Sequence, residues 1–206
     1  MADHPILFQA DMVNAILAGK KTMTRRIIKP QPDHKGVWSH WSDRSGGIIC
    51  SSEGDLRSHL LACSKYQVGD RLWVRENFRP VHSGDPSRGA KYKADVGFDQ
   101  TKWKPSIHMP RIFSRITLII TEVVAEQLRD MTDDDALCEG IIPIPDEKGG
   151  PIERYTVYPK NSIDEWTPYG AFMKLWQSIN GKDSLNPWVY GIRFNARFQN
   201  IDTISD

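Results

Sequence analysis

The 206-residue sequence lacks the marks of several protein classes. Apolar runs such as 118–120 and 141–142 are far too short to cross a bilayer as a helix, so we expect no membrane partner. The basic, apolar and small-residue pattern of a signal peptide does not open the chain. The three cysteines have no framework spacing, which is typical of a reducing compartment. We therefore expect a cytoplasmic protein without a disulfide scaffold.

The motifs of several catalytic and metal-binding classes are also missing. The sequence contains no glycine-rich phosphate loop, no GxSxG element and no CxxC pair. His59 and Cys63 have the helical i, i+4 spacing of a ligand pair, and His34, His40 and Cys50 precede them. Because no second pair with ligand spacing accompanies them, we predict no metal and no cofactor.

The charged residues are unevenly distributed along the chain. Residues 65–115 hold eleven Lys and Arg against five Asp and Glu, whereas residues 122–165 hold four against twelve. Residues 1–30 add five basic side chains against two acidic ones. A fold that gathers the basic segments on one face would attract a polyanion such as RNA through counterion release. The alternative is that charges of both signs mix on the surface.

Hydrophobic periodicity predicts separated strands and a few short helices. The predicted helices cover 11–18, about 55–62, a segment capped by Thr132 and ending at Gly140, and 169–179. The predicted strands lie within 6–8, 22–28, 68–78, 115–124 and 187–198. Since no regular βαβ rhythm appears, we predict an α+β fold built on a small barrel. We expect one domain over 1–206, with excursions at about 31–64 and 143–159.

Four segments, taken in order, resemble the ASCH-domain family, a branch of the PUA-like superfamily. They are ILAGKKTMTRR, VGDRLWVRE, MTDDDALCEG and WVYGIRF, and KPSIHMPRIFSRITL is similar to the members common in phage and prophage genomes. The resemblance implies a partly open β-barrel flanked by short helices, with a cleft like that of RNA-binding PUA domains. It also implies RNA or a modified nucleoside as the partner.

Some small members of this family are amidohydrolases that remove the acyl group of N4-acetylcytidine and related nucleosides. Their catalytic set is a lysine, a threonine three residues later and a glutamate on a later short helix. The matching positions here are Lys21, Thr24 and Glu139, and Arg26 matches a further arginine of the family. The resemblance therefore implies a metal-free amidohydrolase with Lys21, Thr24 and Glu139 as catalytic residues. We expect Arg26 to bind the nucleoside or RNA.

Covalent amide hydrolysis needs a hydroxyl nucleophile, a base and an acid for the leaving amine. A desolvated lysine near other cations has a lowered pKa and can serve as the base. On a regular strand Lys21 and Thr24 would face opposite ways. Their pairing therefore requires either that Lys21 lies in the turn after Gly19 or that its long side chain curls over the strand edge. Glu139 ends a helix, where the macrodipole disfavours its ionisation and favours a role as acid.

Other side chains are predicted to bind the nucleoside or RNA. Trp73, His108 and Arg111 could stack on a base or hold a phosphate, and Arg75 adds a cation. Glu76 shares a strand face with apolar residues, so it points inward. It either reads the Watson–Crick edge of a cytosine or forms a structural ion pair with a partner such as Arg26.

Three functions remain open at this point. The first is an amidohydrolase acting on N4-acylated cytosine nucleosides, which the intact set of Lys21, Thr24 and Glu139 favours. The second is a non-catalytic module that binds RNA, which the basic segment 65–115 favours. The third is a ribonuclease, which would need an acid–base pair among Lys21, Arg26 and Glu139.

Overall fold

A computed structural model describes residues 1–35, 38–43, 46–82, 89–96, 102–145, 154–159, 163–182 and 186–204, with side chains omitted for 34–48. The helices are α1 (Ala10–Leu17), α2 (Glu53–Ala62), α3 (Asp133–Cys138) and α4 (Pro168–Asn180). The strands are β1 (Asp3–Leu7), β2 (Met23–Ile27), β3 (Asp33–Lys35), β4 (Trp38–Asp43), β5 (Gly46–Cys50), β6 (Arg71–Arg75), β7 (Phe78–Pro80), β8 (Ala90–Tyr92), β9 (Thr117–Gln127), β10 (Ile141–Ile144), β11 (Arg154–Val157) and β12 (Trp188–Arg197). The predicted α+β class is confirmed.

The central sheet has five strands in the order β1-β6-β9-β12-β2. The β1–β6 pair is parallel, and the other three pairs are antiparallel. Two-stranded sheets of β7–β8 and β10–β11 and a three-stranded sheet of β3–β5 surround it. Within the described ranges the central sheet does not close into a barrel, because β1 and β2 remain edge strands without a ladder between them.

The sheet is nevertheless strongly curled. In a flat sheet of five strands the two edges would lie about 19 Å apart, since neighbouring strands are spaced at about 4.8 Å. Here Arg26 on edge strand β2 donates a hydrogen bond to the carbonyl of Leu7 on edge strand β1, with N and O 2.8 Å apart. One side chain therefore bridges the opening between the two edges.

Two apolar clusters fix this arrangement. The larger lies on the sheet beneath α1 and α2 and contains Val13, Leu56, Leu72, Leu118 and Ile192. The second joins α3 and α4 to β10 and β11. Helix α4 belongs to it through Phe172 and Trp176, which share the apolar face that the sequence predicted.

The excursions contain regular structure within the described residues. Segment 31–64 forms β3, β4 and β5 and then α2, whose Ser52 side chain accepts a hydrogen bond from the Asp55 N–H as an N-cap. Segment 143–159 includes part of the β10–β11 hairpin, and its residues 146–153 lie outside the described ranges. No helix in the described chain is long and apolar enough to cross a membrane.

Candidate functional site

The candidate site lies where the two edges of the curled sheet approach each other. Phe8 follows β1, is buried, and donates its backbone N–H to the carbonyl of Arg75 at a distance of 3.0 Å. Its ring lies 5.1 Å from the Arg26 guanidinium carbon and 5.9 Å from Lys21 Nζ. An aromatic ring therefore separates the edges, with cations of the 21–26 segment around it.

Lys21 lies in the turn between α1 and β2, which is the first of the two arrangements expected from sequence. Gly19 adopts a φ of +67°, which ends α1, and the backbone N–H of Lys21 then donates to the carbonyl of Ala15. Lys21 forms an isolated antiparallel bridge with Glu139 at the end of α3. The turn thus brings Lys21 to the helix that carries the predicted acid.

Gly140 allows this close approach of α3 to the turn. Its φ is +98°, and an added Cβ would lie 3.2 Å from the Cβ of Ala15 and 3.5 Å from that of Lys21. A side chain at this position would therefore be strained by its backbone conformation and crowded against the turn. Thr132 caps the other end of the helix by accepting from the Asp135 N–H, which confirms the predicted cap.

Lys21 and Glu139 form a buried ion pair. Lys21 is 2% exposed and Glu139 5% exposed. The ammonium contacts Oε2 of the Glu139 carboxylate and also donates to the Glu139 carbonyl at 3.0 Å. Burial lowers the pKa of Lys21 below its ordinary value of 10.5, and Arg26 and Arg25 act in the same direction, whereas Glu139 opposes them. The direction is the one that a lysine base requires.

Arg25 holds the other oxygen of Glu139. Its side chain is fully buried, and NH1 lies 3.4 Å from Glu139 Oε1. The same guanidinium contacts Glu126 on β9 at 2.8 Å and Asp135 on α3 at 3.1 Å. The guanidinium carbon of Arg25 also lies 5.9 Å from the centroid of the Phe172 ring on α4. Arg25 therefore ties Glu139 to β9 and α4, and the Glu139 carboxylate has two cationic partners.

Thr24 lies on the inner side of β2 opposite Ile192 and is 4% exposed. Along the strand it alternates with Arg25, so it shares a face with Arg26, and both line the same cavity. Within the described chain, the Thr24 hydroxyl and Lys21 Nζ are not hydrogen-bonded to each other. Such contacts often tighten only when a substrate is bound.

A cavity of about 990 Å³ adjoins this cluster, which is at the upper end of the size range of small-molecule sites. Buried aromatic side chains line it: Phe8, Tyr66, Phe172, Trp176 and Tyr190. Its lining has a basic excess, with the cations Arg25, Arg26, Lys29, Lys65 and Lys93 against the carboxylates Asp11 and Glu139. The cavity can therefore stack a planar ring and attract an anion.

Glu76 lies outside this cavity, and its partner is not Arg26. It points inward as predicted and is 1% exposed, but it pairs with Arg115, whose Nε lies 2.8 Å from Glu76 Oε1. Arg115 also contacts Asp95 at 2.7 Å. Burial raises the pKa of Glu76, while Arg115 opposes that shift. The structural ion pair proposed from sequence is present, with a different arginine.

The remaining predicted binding residues do not line the cavity either. Arg111 contacts Asp3 and Asp202, each at 2.6 Å. Arg75 contacts the Ile107 carbonyl, and its guanidinium carbon lies 5.2 Å from the ring centroid of Trp73. His108 is exposed at the end of a short 3₁₀ turn. Thr24, Arg26 and Glu139 thus line one cavity, and Lys21 contacts Glu139. The cavity lining does not include Trp73, Arg75, Glu76, His108 or Arg111.

No three His, Cys, Asp or Glu side chains in the described chain are placed to hold a metal ion. His59 and Cys63 do contact each other, with Nε2 and Sγ 3.5 Å apart. The side chains of His34 and His40 lie outside the described residues.

The sequence did not reveal how Arg25 holds the site together. Asp135 and Glu139 are four residues apart and lie on one face of α3, so they form an anionic pair that needs a buried cation. This i, i+4 spacing of two carboxylates was the signal in the sequence for a buried cation such as Arg25. The sequence holds no signal for the aromatic lining, because Phe8, Tyr66 and Phe172 come from segments far apart in the chain.

No family model, no curated protein and no solved structure matches the chain.

Proposed function

We propose that this chain is an ASCH-type, PUA-like protein that recognises RNA or a modified nucleoside and hydrolyses the N4-acyl amide of acetylated cytidine. The observation that carries the proposal is that Thr24 and Glu139 line one cavity while Lys21 is in direct contact with Glu139. The curl that brings β1 close to β2 supports a partly open barrel.

The proposed reaction proceeds through an acyl-enzyme. The Thr24 hydroxyl attacks the acyl carbon, and Lys21 in its neutral form accepts the hydroxyl proton. The C–N bond breaks, the acyl group remains on Thr24 Oγ1, and a proton passes through the Lys21–Glu139 pair to the leaving N4 nitrogen. Water then hydrolyses the ester, releases the carboxylic acid and restores the threonine.

The contacts of the pair suit this sequence of steps. Burial of Lys21 favours its neutral form, so the amine can accept a proton. Glu139 lies within direct contact of Nζ, so it can exchange that proton with Lys21. Arg25 fixes the carboxylate from the opposite side and keeps its orientation.

A binding module without catalysis is the second candidate. The basic excess and the five aromatic rings of the cavity support it, because stacking and phosphate attraction need no reaction. It differs from the first candidate in making no use of the Thr24 hydroxyl.

Incubation of the purified protein with N4-acetylcytidine, followed by chromatography, separates the two. The enzyme releases cytidine and acetate at a rate proportional to protein concentration. A protein that binds acetylated RNA and leaves N4-acetylcytidine intact is the binding module.

A further inference from the structure

One part of the cavity lining is distinct from the proposed catalytic residues, and its side chains carry hydrogen-bond donors. It consists of Asn77, Lys93 and Ser106. The backbone N–H of Lys93 donates to the Asn77 carbonyl at 2.9 Å. The backbone N–H of Ser106 donates to Asn77 Oδ1 at 3.0 Å. Asn77 therefore holds the other two residues in place.

These hydrogen bonds orient the Asn77 amide. Because Oδ1 already accepts from Ser106, the Nδ2 group is the donor that remains, and nothing in the described chain accepts from it. The side chains of these three lining residues carry an amide N–H, a hydroxyl and an ammonium group. Donors of these three kinds suit an anion with several acceptor oxygens.

The charges around the cavity also favour an anionic ligand. In the described chain no carboxylate lies within salt-bridge distance of Lys29, Lys65 or Lys93. By contrast, the arginines of the basic segment 65–115 at positions 71, 111 and 115 are paired with carboxylates. Lys29, Lys65 and Lys93 therefore remain available to an anionic ligand of the cavity.

The donor residues around Asn77 are connected to the catalytic cluster through Leu7 and Phe8. Arg26 donates to the Leu7 carbonyl, and Phe8 donates to the carbonyl of Arg75, two residues before Asn77. Both sets contribute residues to the lining of the same cavity, so one ligand with a reactive amide and an anionic group could contact both.

We infer that Asn77, Lys93 and Ser106 form a subsite for a phosphate group, so that the ligand is a nucleotide, free or within RNA, rather than a neutral nucleoside. This inference rests on the proposed recognition of a cytidine by the cavity. Beyond that function, the affinity of the protein for its ligand depends on the phosphate group of that ligand.

The test compares the binding of cytidine and cytidine 5′-monophosphate to the wild-type protein by calorimetry, since neither ligand is turned over. Charge-assisted hydrogen bonds give an expected preference for the monophosphate of roughly 10-fold. Lys93→Ala and Asn77→Asp should each reduce that preference towards one while leaving the affinity for cytidine unchanged. Asn77→Asp keeps the acceptor for Ser106 and replaces the donor with a negative charge.

Lys91→Ala is the matched control. Lys91 is an exposed lysine two residues away on β8 and is not part of the cavity lining, so its loss removes the same charge and should leave the preference at the wild-type value. An equal effect of Lys91→Ala and Lys93→Ala would show a diffuse charge effect and overturn the subsite.

A short single-stranded RNA separates the two sources of phosphate. If Lys93→Ala weakens binding of the monophosphate, the result supports a free nucleotide as the ligand. If Lys93→Ala weakens binding of the RNA alone, the result supports a phosphodiester within RNA. No phosphate preference in either ligand overturns the subsite. Release of cytidine from N4-acetylcytidine in the same preparation would show that the proposed function survives that result, whereas absence of turnover would count against the enzyme separately.

Discussion

Lys21 and Glu139, 118 residues apart in the chain, place their charged groups in direct contact in an almost fully buried pair. Removing two charges from water is costly, so such a pair adds little net stability compared with apolar residues of similar volume. In the proposed function the pair acts beside the cavity that Thr24 lines, where burial favours the neutral form of the lysine.

The burial of Lys21 predicts a specific pH dependence of stability. Its pKa is lowered from 10.5, so between the lowered value and 10.5 the unfolded chain binds more protons than the folded one. The free energy of unfolding must therefore rise with pH in that window. Urea unfolding of wild type and Lys21→Met from pH 7 to 10 should show the wild type gaining stability relative to the variant. A constant or falling difference would contradict the lowered pKa.

Arg25→Gln should destabilise the protein strongly, because it leaves Glu126, Asp135 and Glu139 without their shared cation. Breaking a buried network of this kind costs about 3–5 kcal/mol. Arg57→Gln is the control, since Arg57 also contacts two carboxylates, Glu53 and Asp130, but is 38% exposed. It should cost at most about 1 kcal/mol. Equal losses in chemical denaturation would show that Arg25 has no special role.

Glu139→Gln should lower the rate of acyl release by roughly 10²-fold or more, because an amide cannot exchange a proton with Lys21. The amide oxygen can still accept from Lys21 Nζ, so the variant should retain its fold, as circular dichroism would show. Asp134→Asn on the same helix is exposed and should keep the wild-type rate. If both variants were fully active, the role of Glu139 would be wrong.

RNA binding should weaken as salt concentration rises. If the three cavity lysines that lack a carboxylate partner in the described chain each neutralise one phosphate, log K should fall against log salt with a slope of about −2 for a single strand. Titrations of a fluorescent RNA at several KCl concentrations measure this slope. Affinity that is independent of salt would point instead to a small neutral ligand held by stacking.

Local features of the fold could be predicted from the sequence because they depend on near neighbours. The alternation of inward and outward side chains from Leu72 to Glu76 correctly predicts that Leu72, Val74 and Glu76 lie on the buried face of the strand. The Thr132 cap and the glycine stops at Gly19 and Gly140 were likewise readable from single residues.

The partners of side chains from distant segments could not be predicted, because the sequence does not show which of these segments lie next to each other in the fold. The sequence offers Arg26 as one example of a partner for Glu76, whereas the structure pairs Glu76 with Arg115, 39 residues away. Arg111 appeared free to hold a phosphate, but Asp3 and Asp202 lie at opposite ends of the chain and converge on it. Each error comes from a contact between segments that the fold brings together.

The rate of cytidine release from N4-acetylcytidine by wild type, Thr24→Ala and Thr22→Ala tests the central claim most directly. Thr24 is buried beside the cavity, whereas Thr22 is exposed and is held by backbone hydrogen bonds that alanine preserves. Wild type and Thr22→Ala should release cytidine at similar rates, and Thr24→Ala should be slower by roughly 10²-fold or more. No release by wild type, or equal rates for Thr24→Ala and wild type, would contradict the account.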